Sequence, residues 1–494
     1  MKRSLLEGFL SIFGARMVRT VVAIVSLPLI VRALGPGSYG DYTFLISTFS
    51  LSMIFVSAGV TEGAQKFAAE NRGDGWEGAV VGYYVRIAAV LALAGATAFV
   101  LATRTGVVER FLGSEFTLYF YLLAGFVLLG QFRTLARRLL MAFGMERYSE
   151  PLHVGKKLLW AGVGLALVWQ GYGVAGMLAG NLVASAFVAV VGFALVFRRV
   201  SLRSVLEPIP DDFPRSKLRS FNALNIVLVL LTMSLYHVDI IMLRTLVGND
   251  ATGYYKAALA IAEYVWLVPV VLESLLLHST SELWSDGARE RIDDLAARIT
   301  RYTVALTLVL VVGIAALAGR FVPLYYGSAF TPAASALLWL LPGTLGFAAA
   351  RPIMAIGRAK GNLKPLILAT GAAATINVVL NAVLITRFGM LGAAAATSVG
   401  YGSMLVFHGV TARRIGFAPF GDFRPVGLAV TTAATAAAVF PLSSALSSDI
   451  VALVLVPPVG LLVHVAAALA TGVLEVGDVR TAVDSLPVPL PTGS

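Results

Sequence analysis

Arg16 and Arg19 stand three residues apart in an apolar stretch near the start of the chain. A guanidinium is a permanent cation whose fork of donors matches phosphate oxygens. Much further on, Asn225, Thr232, Tyr236 and Asp239 follow at steps of 7, 4 and 3, so they share one helical face. Asp239 and Glu263 are carboxylates among apolar neighbours. Such a group can take up a proton or Na⁺ as its surroundings change. The chemistry on offer is recognition of an anion and exchange of a small cation. Each group also has a plainer role. The arginines could snorkel to the membrane surface, and Asp239 could pair with Arg244 or cap backbone. Covalent catalysis finds no support. There is no Cys, and five scattered His residues offer no metal-ligand spacing, so neither a metal nor a catalytic residue is expected. Asp211-Asp212 and Asp293-Asp294 sit beside basic residues and read as solvated charge.

The elements that must hold these groups follow from composition. The chain has 494 residues, 58% hydrophobic and 13% charged, with a mean hydropathy of +0.84. Soluble domains have roughly 45–50% apolar and about 25% charged residues. A helix that crosses a bilayer needs about 20 mostly apolar residues. Fourteen such segments fall between residues 10 and 471, the first at 10–34, the seventh at 222–246 and the eighth at 255–277. Their apolar runs are continuous, not alternating, which argues against a β-barrel. The expected fold is an all-α polytopic membrane protein of about fourteen helices. The first is a span, not a signal peptide, because Arg16 and Arg19 interrupt it and no small-residue cleavage site follows. With the N-terminus inside, thirty Lys and Arg lie on the inner side and seven on the outer. That asymmetry predicts a plasma-membrane protein with both termini cytoplasmic. The net charge of +11 is thus spread over loops, and no nucleic acid is expected as a partner.

The sequence also repeats. Leu34-Gly35-Pro36-Gly37-Ser38-Tyr39-Gly40-Asp41-Tyr42 returns as Val247-Gly248-Asn249-Asp250-Ala251-Thr252-Gly253-Tyr254-Tyr255, offset by 213. Gly113-Ser114 returns as Gly327-Ser328 and Pro151-Leu152 as Pro365-Leu366, both at 214. Phe143-Gly144 answers Ile356-Gly357, and Tyr172-Gly173 answers Phe388-Gly389 at 216. Short matches in the same order along the chain indicate a duplication. The expected domains are a six-helix bundle at 1–200, a linker at 201–219, a second bundle at 220–416, an extra helix pair at 417–472 and a cytoplasmic tail at 473–494. Six helices is an even number, so the copies should be parallel repeats, as in transporters. The 213 offset sets Arg19 against Thr232 and Ser26 against Asp239. A face polar in both copies should line the cavity between them.

The stretch from Leu34 to Glu70, with Leu34-Gly35-Pro36, Tyr39-Gly40 and Ala69-Glu70, resembles the first spans of the polysaccharide-biosynthesis, or Wzx-type, oligosaccharide flippases. These belong to the multidrug/oligosaccharidyl-lipid/polysaccharide superfamily. The turns at Gly144-Met145-Glu146 and Gly357–Asn362 are similar to that family's connections. The resemblance implies a flippase that moves a lipid-linked oligosaccharide to the outer leaflet by alternating access, for cell-surface glycan assembly. Arg16, Arg19, Asn225, Thr232 and Tyr236 would bind the head group, and Asp239 or Glu263 would couple transport to a proton or Na⁺, with no other cofactor. Membrane lipids and glycan polymerase or transferase machinery are the remaining partners implied. Lipid II flippases and ion-coupled multidrug exporters share the architecture and are the rival readings. The arginine pair argues against cationic drugs.

Three further expectations concern packing. The Gly-Pro motif reads first as a tight turn with an aromatic anchor. Arg86 and Arg301 read as snorkelling anchors. Ile292, Leu295, Ala296 and Ile299 form an apolar face that would lie on the inner leaflet.

Overall fold

The computed structural model describes residues 2–477 apart from 71, 74, 206, 210–212, 214 and 362; side chains at 2–13, 15, 16, 58, 204, 214–228 and 278 also lie outside the description. Every regular element among the described residues is helical. Ten helical segments are long and apolar enough to cross a membrane, and a pair bent by 52° makes an eleventh. Three of the ten, 41, 51 and 52 residues long, each break at glycines with positive φ: Gly35, Gly171 with Gly173, and Gly389. Each therefore holds two of the fourteen expected segments, and the chain is an all-α polytopic membrane protein. Val90, Val190, Leu368 and Leu462 are large apolar side chains on its exterior, as a bilayer requires.

Two compact units account for the chain: residues 1–256 with 385–390, and residues 257–384 with 391–494. The first contains α1 (Lys2–Met53), α2 (Gly59–Ala68), α3 (Trp76–Arg104), α4 (Val107–Leu112), α5 (Glu115–Ala142), α6 (Glu146–Leu167), α7 (Gly173–Val196), α8 (Arg215–Leu246) and the start of α9 (Asn249–Tyr264). Pro36 disfavours helical backbone at the residue before it. Gly35 takes φ 71° there and splits α1 in two. Small residues let helices close up: a Cβ on Gly180 would collide with the backbone of Gly164. The core of this unit gathers Phe67, Tyr84, Leu135 and Leu139.

The Gly-Pro motif does more than turn. A Cβ on Gly40 would strike the backbone of Asn249, and one on Gly253 would strike Pro36. Both pairings are related by the same 213 offset, so the two copies of the motif pack reciprocally, backbone on backbone.

The second unit contains α10 (Leu267–Ser285), α11 (Arg289–Tyr326), α12 (Ala333–Ala359), α13 (Lys364–Ile415), α14 (Pro425–Ala445) and α15 (Asp449–Ala470). Gly343 of α12 lies against the backbone of Ser398 on α13. Two expectations are corrected here. Ile292 and Ala296 are buried with Ile353, Ile356 and Phe417, so that apolar face packs into the protein rather than onto the leaflet. Arg301 is fully buried and bonds to Asp422 and Glu475. It ties α11 to the segments flanking α14 and α15, and does not snorkel. At the other end of α11, Arg320 bonds Asp449 at 2.8 Å and the carbonyls of Ser443 and Leu446. The extra helix pair is thus fastened to α11 at both ends. Arg86 donates to the carbonyls of Val205 and Glu207, holding the linker.

The repeat is visible in backbone angles. Gly113 has φ 107°, ψ 160° and Gly327 has φ 97°, ψ 158°. Gly173 has φ 49°, ψ −129° and Gly389 has φ 56°, ψ −129°. A Cβ would be strained at all four, which explains why glycine stands in both copies.

Candidate functional site

Three helices of the first unit bring charge together. Glu150, in the first turns of α6, is only 1% exposed. Its Oε2 accepts from Nη1 of Arg19 on α1 at 3.1 Å, and its Oε1 accepts from Nη2 of Arg137 on α5 at 2.9 Å. One carboxylate thus faces two guanidinium groups and balances one. Arg133 stands one turn before Arg137 on the same face of α5, and its buried Nε has no hydrogen-bond partner among the described residues. Arg133 lies nine residues before the end of α5, about 14 Å along the helix.

The cationic face continues along α6. Glu150, His153, Lys157 and Trp160 follow at steps of 3, 4 and 3, one helical stripe. His153 lies in the field of Arg137, Arg19, Arg133 and Lys156. The Lys156 ammonium donates to Oδ1 of Asn181 on α7 at 3.2 Å. The Lys157 ammonium sits 4.1 Å from the centre of the Trp160 ring. Trp160 Nε1 and Asn181 Nδ2 each donate to the Tyr42 hydroxyl at 3.0 Å. Arg19 and Arg137 thus share one carboxylate, while Lys156 and Lys157 meet the neutral Asn181 and Trp160.

The second copy of the repeat treats these positions differently. The 213 offset sets Thr232 at the place of Arg19. The 214 offset sets Phe347 at Arg133, Arg351 at Arg137, Thr370 at Lys156, Gly371 at Lys157 and Ala374 at Trp160. Only Arg351 is a cation. It bonds Glu273 of α10 at 2.8 Å and lies over the rings of Trp266 and Phe347. Phe347 and Thr370 are each 2% exposed. The same architecture packs aromatic rings around one ion-paired arginine in one copy and gathers a charged cluster in the other.

A sequence profile of the polysaccharide biosynthesis proteins matches residues 5–272, more than half of the chain. The chain belongs to that family. No curated protein matches its sequence significantly. Among solved structures, a lipid II flippase, MurJ, in an inward closed conformation superposes with a TM-score of 0.77 at 13% identity, covering 96% of this chain and 100% of that one. An inward-facing multidrug resistance transporter of the MATE family reaches 0.65 at 15% identity, covering 80% and 94%. A MATE transporter in a bent conformation reaches 0.57 at 14% identity, covering 87% and 97%. These likenesses fix the fold shared by this member of the polysaccharide biosynthesis family.

Of the residues singled out from sequence, Arg19 lies in the cluster. The side chains of Arg16 and Asn225 lie outside the described residues. Thr232 and Tyr236 are half-buried on α8. Asp239 is fully buried, and it accepts from the Tyr255 hydroxyl of α9 and from the Ile240 amide at 2.8 Å. Arg244, a candidate partner for Asp239, instead bonds Asp41 at 2.5 Å, with Asn249 on the other Asp41 oxygen at 3.3 Å. His237 meets Ser47 at 3.2 Å. Glu263 is half-buried at the end of α9, and no hydrogen bond or ion pair reaches its carboxylate among the described residues.

Sequence reasoning missed Glu150 altogether, and Arg133, Arg137, Lys156 and Lys157 entered only the orientation count. Their signal was available: Arg133 and Arg137 are four apart, and the α6 stripe runs from Glu150 to Trp160 at helical spacing. It also missed a buried polar seam in α13. Asn377 Nδ2 donates to Thr397 Oγ1 at 3.3 Å, and Asn381 Nδ2 to the Asn377 carbonyl at 2.9 Å. The Oδ1 atoms of both Asn residues are buried without a partner among the described residues. Neutral oxygens of this kind suit a hard monovalent cation. No group of His, Asp and Glu among the described residues fits a metal. A separate cavity of about 1110 Å³ lies under the linker, but its cations are matched: Arg199 grips Glu77 with two bonds of 2.7 and 2.9 Å, and Arg72 pairs with Glu70.

Proposed function

We propose that this protein is a flippase, not an enzyme, that carries a lipid-linked oligosaccharide from the cytoplasmic to the outer leaflet of the plasma membrane. The observation that carries the reading is the gathering of Arg19, Arg133 and Arg137 about Glu150, with the Arg133 Nε buried and unpartnered among the described residues. Burying charge is costly unless something balances it. A lipid diphosphate would supply that balance, and it can enter such a site only from the membrane with its lipid still in the bilayer. Arg19, Arg133 and Arg137 would grip its oxygens as forks. Glu150 would hold Arg19 and Arg137 in place between loads. Alternating access of the two bundles would carry the head group across, with both termini on the cytoplasmic side, which the Lys and Arg distribution supports. Glu263 and the α13 oxygens of Asn377, Asn381 and Thr397 are the places where Na⁺ or a proton would couple to the cycle. Asp239, already bonded by Tyr255, would join by exchanging that bond. Glycan polymerase or transferase machinery would act on the delivered product.

Lipid II presents the same diphosphate chemistry, so the likeness in fold to its flippase leaves the sugar to be decided by assay. A multidrug exporter of cationic compounds fits poorly, because the cluster would repel them. The experiment is to count outer-leaflet lipid-linked glycan in cells that depend on this protein, with Arg133→Ala at matched expression. The reading expects loss of most transport. Wild-type glycan levels would contradict it.

A further inference from the structure

We propose that Lys156 is a proton site linked to the load: its amine is neutral while the head-group site is empty and takes up a proton as the lipid diphosphate binds. The inference rests on the reading of Arg19, Arg133 and Arg137 as the diphosphate site.

The partner of Lys156 suits both protonation states. Its Nζ donates to Oδ1 of Asn181 on α7 at 3.2 Å. Asn181 is fixed in that orientation, because its Nδ2 is spent on the Tyr42 hydroxyl and the Met177 carbonyl. An amide oxygen accepts from an ammonium and from a neutral amine alike. The bond therefore survives loss of the proton, whereas a carboxylate partner would hold the proton in place. Among the described residues no carboxylate acts on Lys156. The nearest one along α6, Glu150, lies six residues back, about 9 Å along the helix. Arg19 of α1 and Arg137 of α5 already hold it.

The charges that face Lys156 are of its own sign. Arg133 of α5 and Lys157 of α6 act on it directly. His153, one turn back on α6, shares the field of Arg133 and Arg137. Tyr42 of α1 is engaged as an acceptor by Trp160 and Asn181. Like charges make a cation costly, and an anion close by makes it favourable. A guanidinium keeps its proton throughout, but an amine can release one. Lys157 has the nearer place over the Trp160 ring, 4.1 Å against 5.7 Å for Lys156, and that contact stabilises a cation. Lys156 is therefore the group free to follow the load. Thr370 stands at its position in the second copy, so the fold does not call for an amine there. The proton comes from water in the open site and returns to water on the side where the lipid leaves. The empty carrier then resets without that buried charge.

The test measures dissociation constants of purified protein in phosphatidylcholine nanodiscs from about pH 6 to about pH 9. The probe is a polyprenyl diphosphate carrying glucose, whose phosphates are both esterified and keep a fixed charge across that range. Proton uptake on binding makes affinity fall as pH rises. Wild type should lose about tenfold or more in affinity over the range. Calorimetric titration in buffers of different ionisation heat should count about one proton taken up per lipid where the dependence is steepest. Lys156→Arg keeps the charge and cannot release it, so its affinity should stay level with pH and no proton should be counted. Lys156→Gln should be equally level and answers the question if arginine does not fit. Lys157→Arg and His153→Gln should keep the wild-type dependence. A wild-type affinity independent of pH, with no proton counted, would overturn the inference and leave the diphosphate reading standing. A dependence that survives in Lys156→Arg, or that disappears in His153→Gln, would assign the proton to another group and overturn it as well. Failure of the probe to bind wild type at any pH would take down the diphosphate reading and this inference with it.

Discussion

Arg133 and Phe347 hold the same place in the two copies of the repeat and have opposite surroundings. Phe347 packs against Trp266 and Tyr401, with ring centres 5.0 and 5.3 Å away. Arg133 sits among Arg137, Lys156 and the other cations of its copy. The scaffold tolerates either filling, so the charge in the first copy is not a demand of the fold. Cations in a membrane helix that the architecture does not require point to a ligand. Arg137 and Arg351 sharpen the point. The position stays arginine in both copies, but among the described residues Arg351 shares Glu273 with Arg358, at 2.9 Å, and lies over two aromatic rings. Arg137 shares Glu150 with Arg19 amid three further cations.

The largest effects should be on stability. Phe347→Ala should lower unfolding free energy by about 3–5 kcal/mol, the usual cost of emptying an aromatic core site. Thermal unfolding in detergent reads this, and an unchanged midpoint would mean the second copy is not the packed aromatic core described. Glu150→Gln should cost a similar ~3–5 kcal/mol, because it leaves two guanidinium groups without their shared carboxylate. If added polyprenyl diphosphate restores the midpoint of Glu150→Gln, the anion is replacing the carboxylate; no recovery would break that link. Arg133→Ala should behave in the opposite way to Phe347→Ala. Its midpoint should hold or rise, since a charge-rich cluster loses one cation, while affinity for polyprenyl diphosphate falls about ten- to a hundredfold. A drop in midpoint with unchanged affinity would make Arg133 a structural residue. The smallest effect is expected for Arg19→Lys, which keeps the charge and loses the fork. Transport assayed at matched expression should fall by less than in Arg19→Ala, and full activity in both would remove Arg19 from the site.

Much of the fold was legible in the sequence because hydropathy and glycine placement are local properties. The fourteen apolar segments, and the breaks at Gly35, Gly173 and Gly389, follow from side-chain chemistry that needs no partner. Gly113 and Gly327, paired by the sequence matches, take nearly the same backbone angles. What a polar residue faces is not local. Arg301 lies near the start of a span, as a snorkelling residue would, yet Asp422 and Glu475 come to it from more than a hundred residues away. Asp239 and Arg244 are five apart on one helix and looked like partners, but each found a better one in Tyr255 and Asp41. Lys156 and Lys157 lie just inside the end of a span, where hydropathy alone assigns them to the loop. Their helical spacing with Glu150 and Trp160 was the sign that they belonged to a face.

The central claim is that the cations around Glu150 bind the diphosphate of a lipid-linked substrate. Equilibrium binding of sugar-free polyprenyl diphosphate in phosphatidylcholine nanodiscs tests it most directly, with wild type compared against Arg133→Ala and Lys364→Ala. Lys364 is the exposed counterpart of Glu150 in the second copy. The account predicts that Arg133→Ala weakens binding about ten- to a hundredfold and that Lys364→Ala matches wild type. Equal affinity in all three proteins would contradict it.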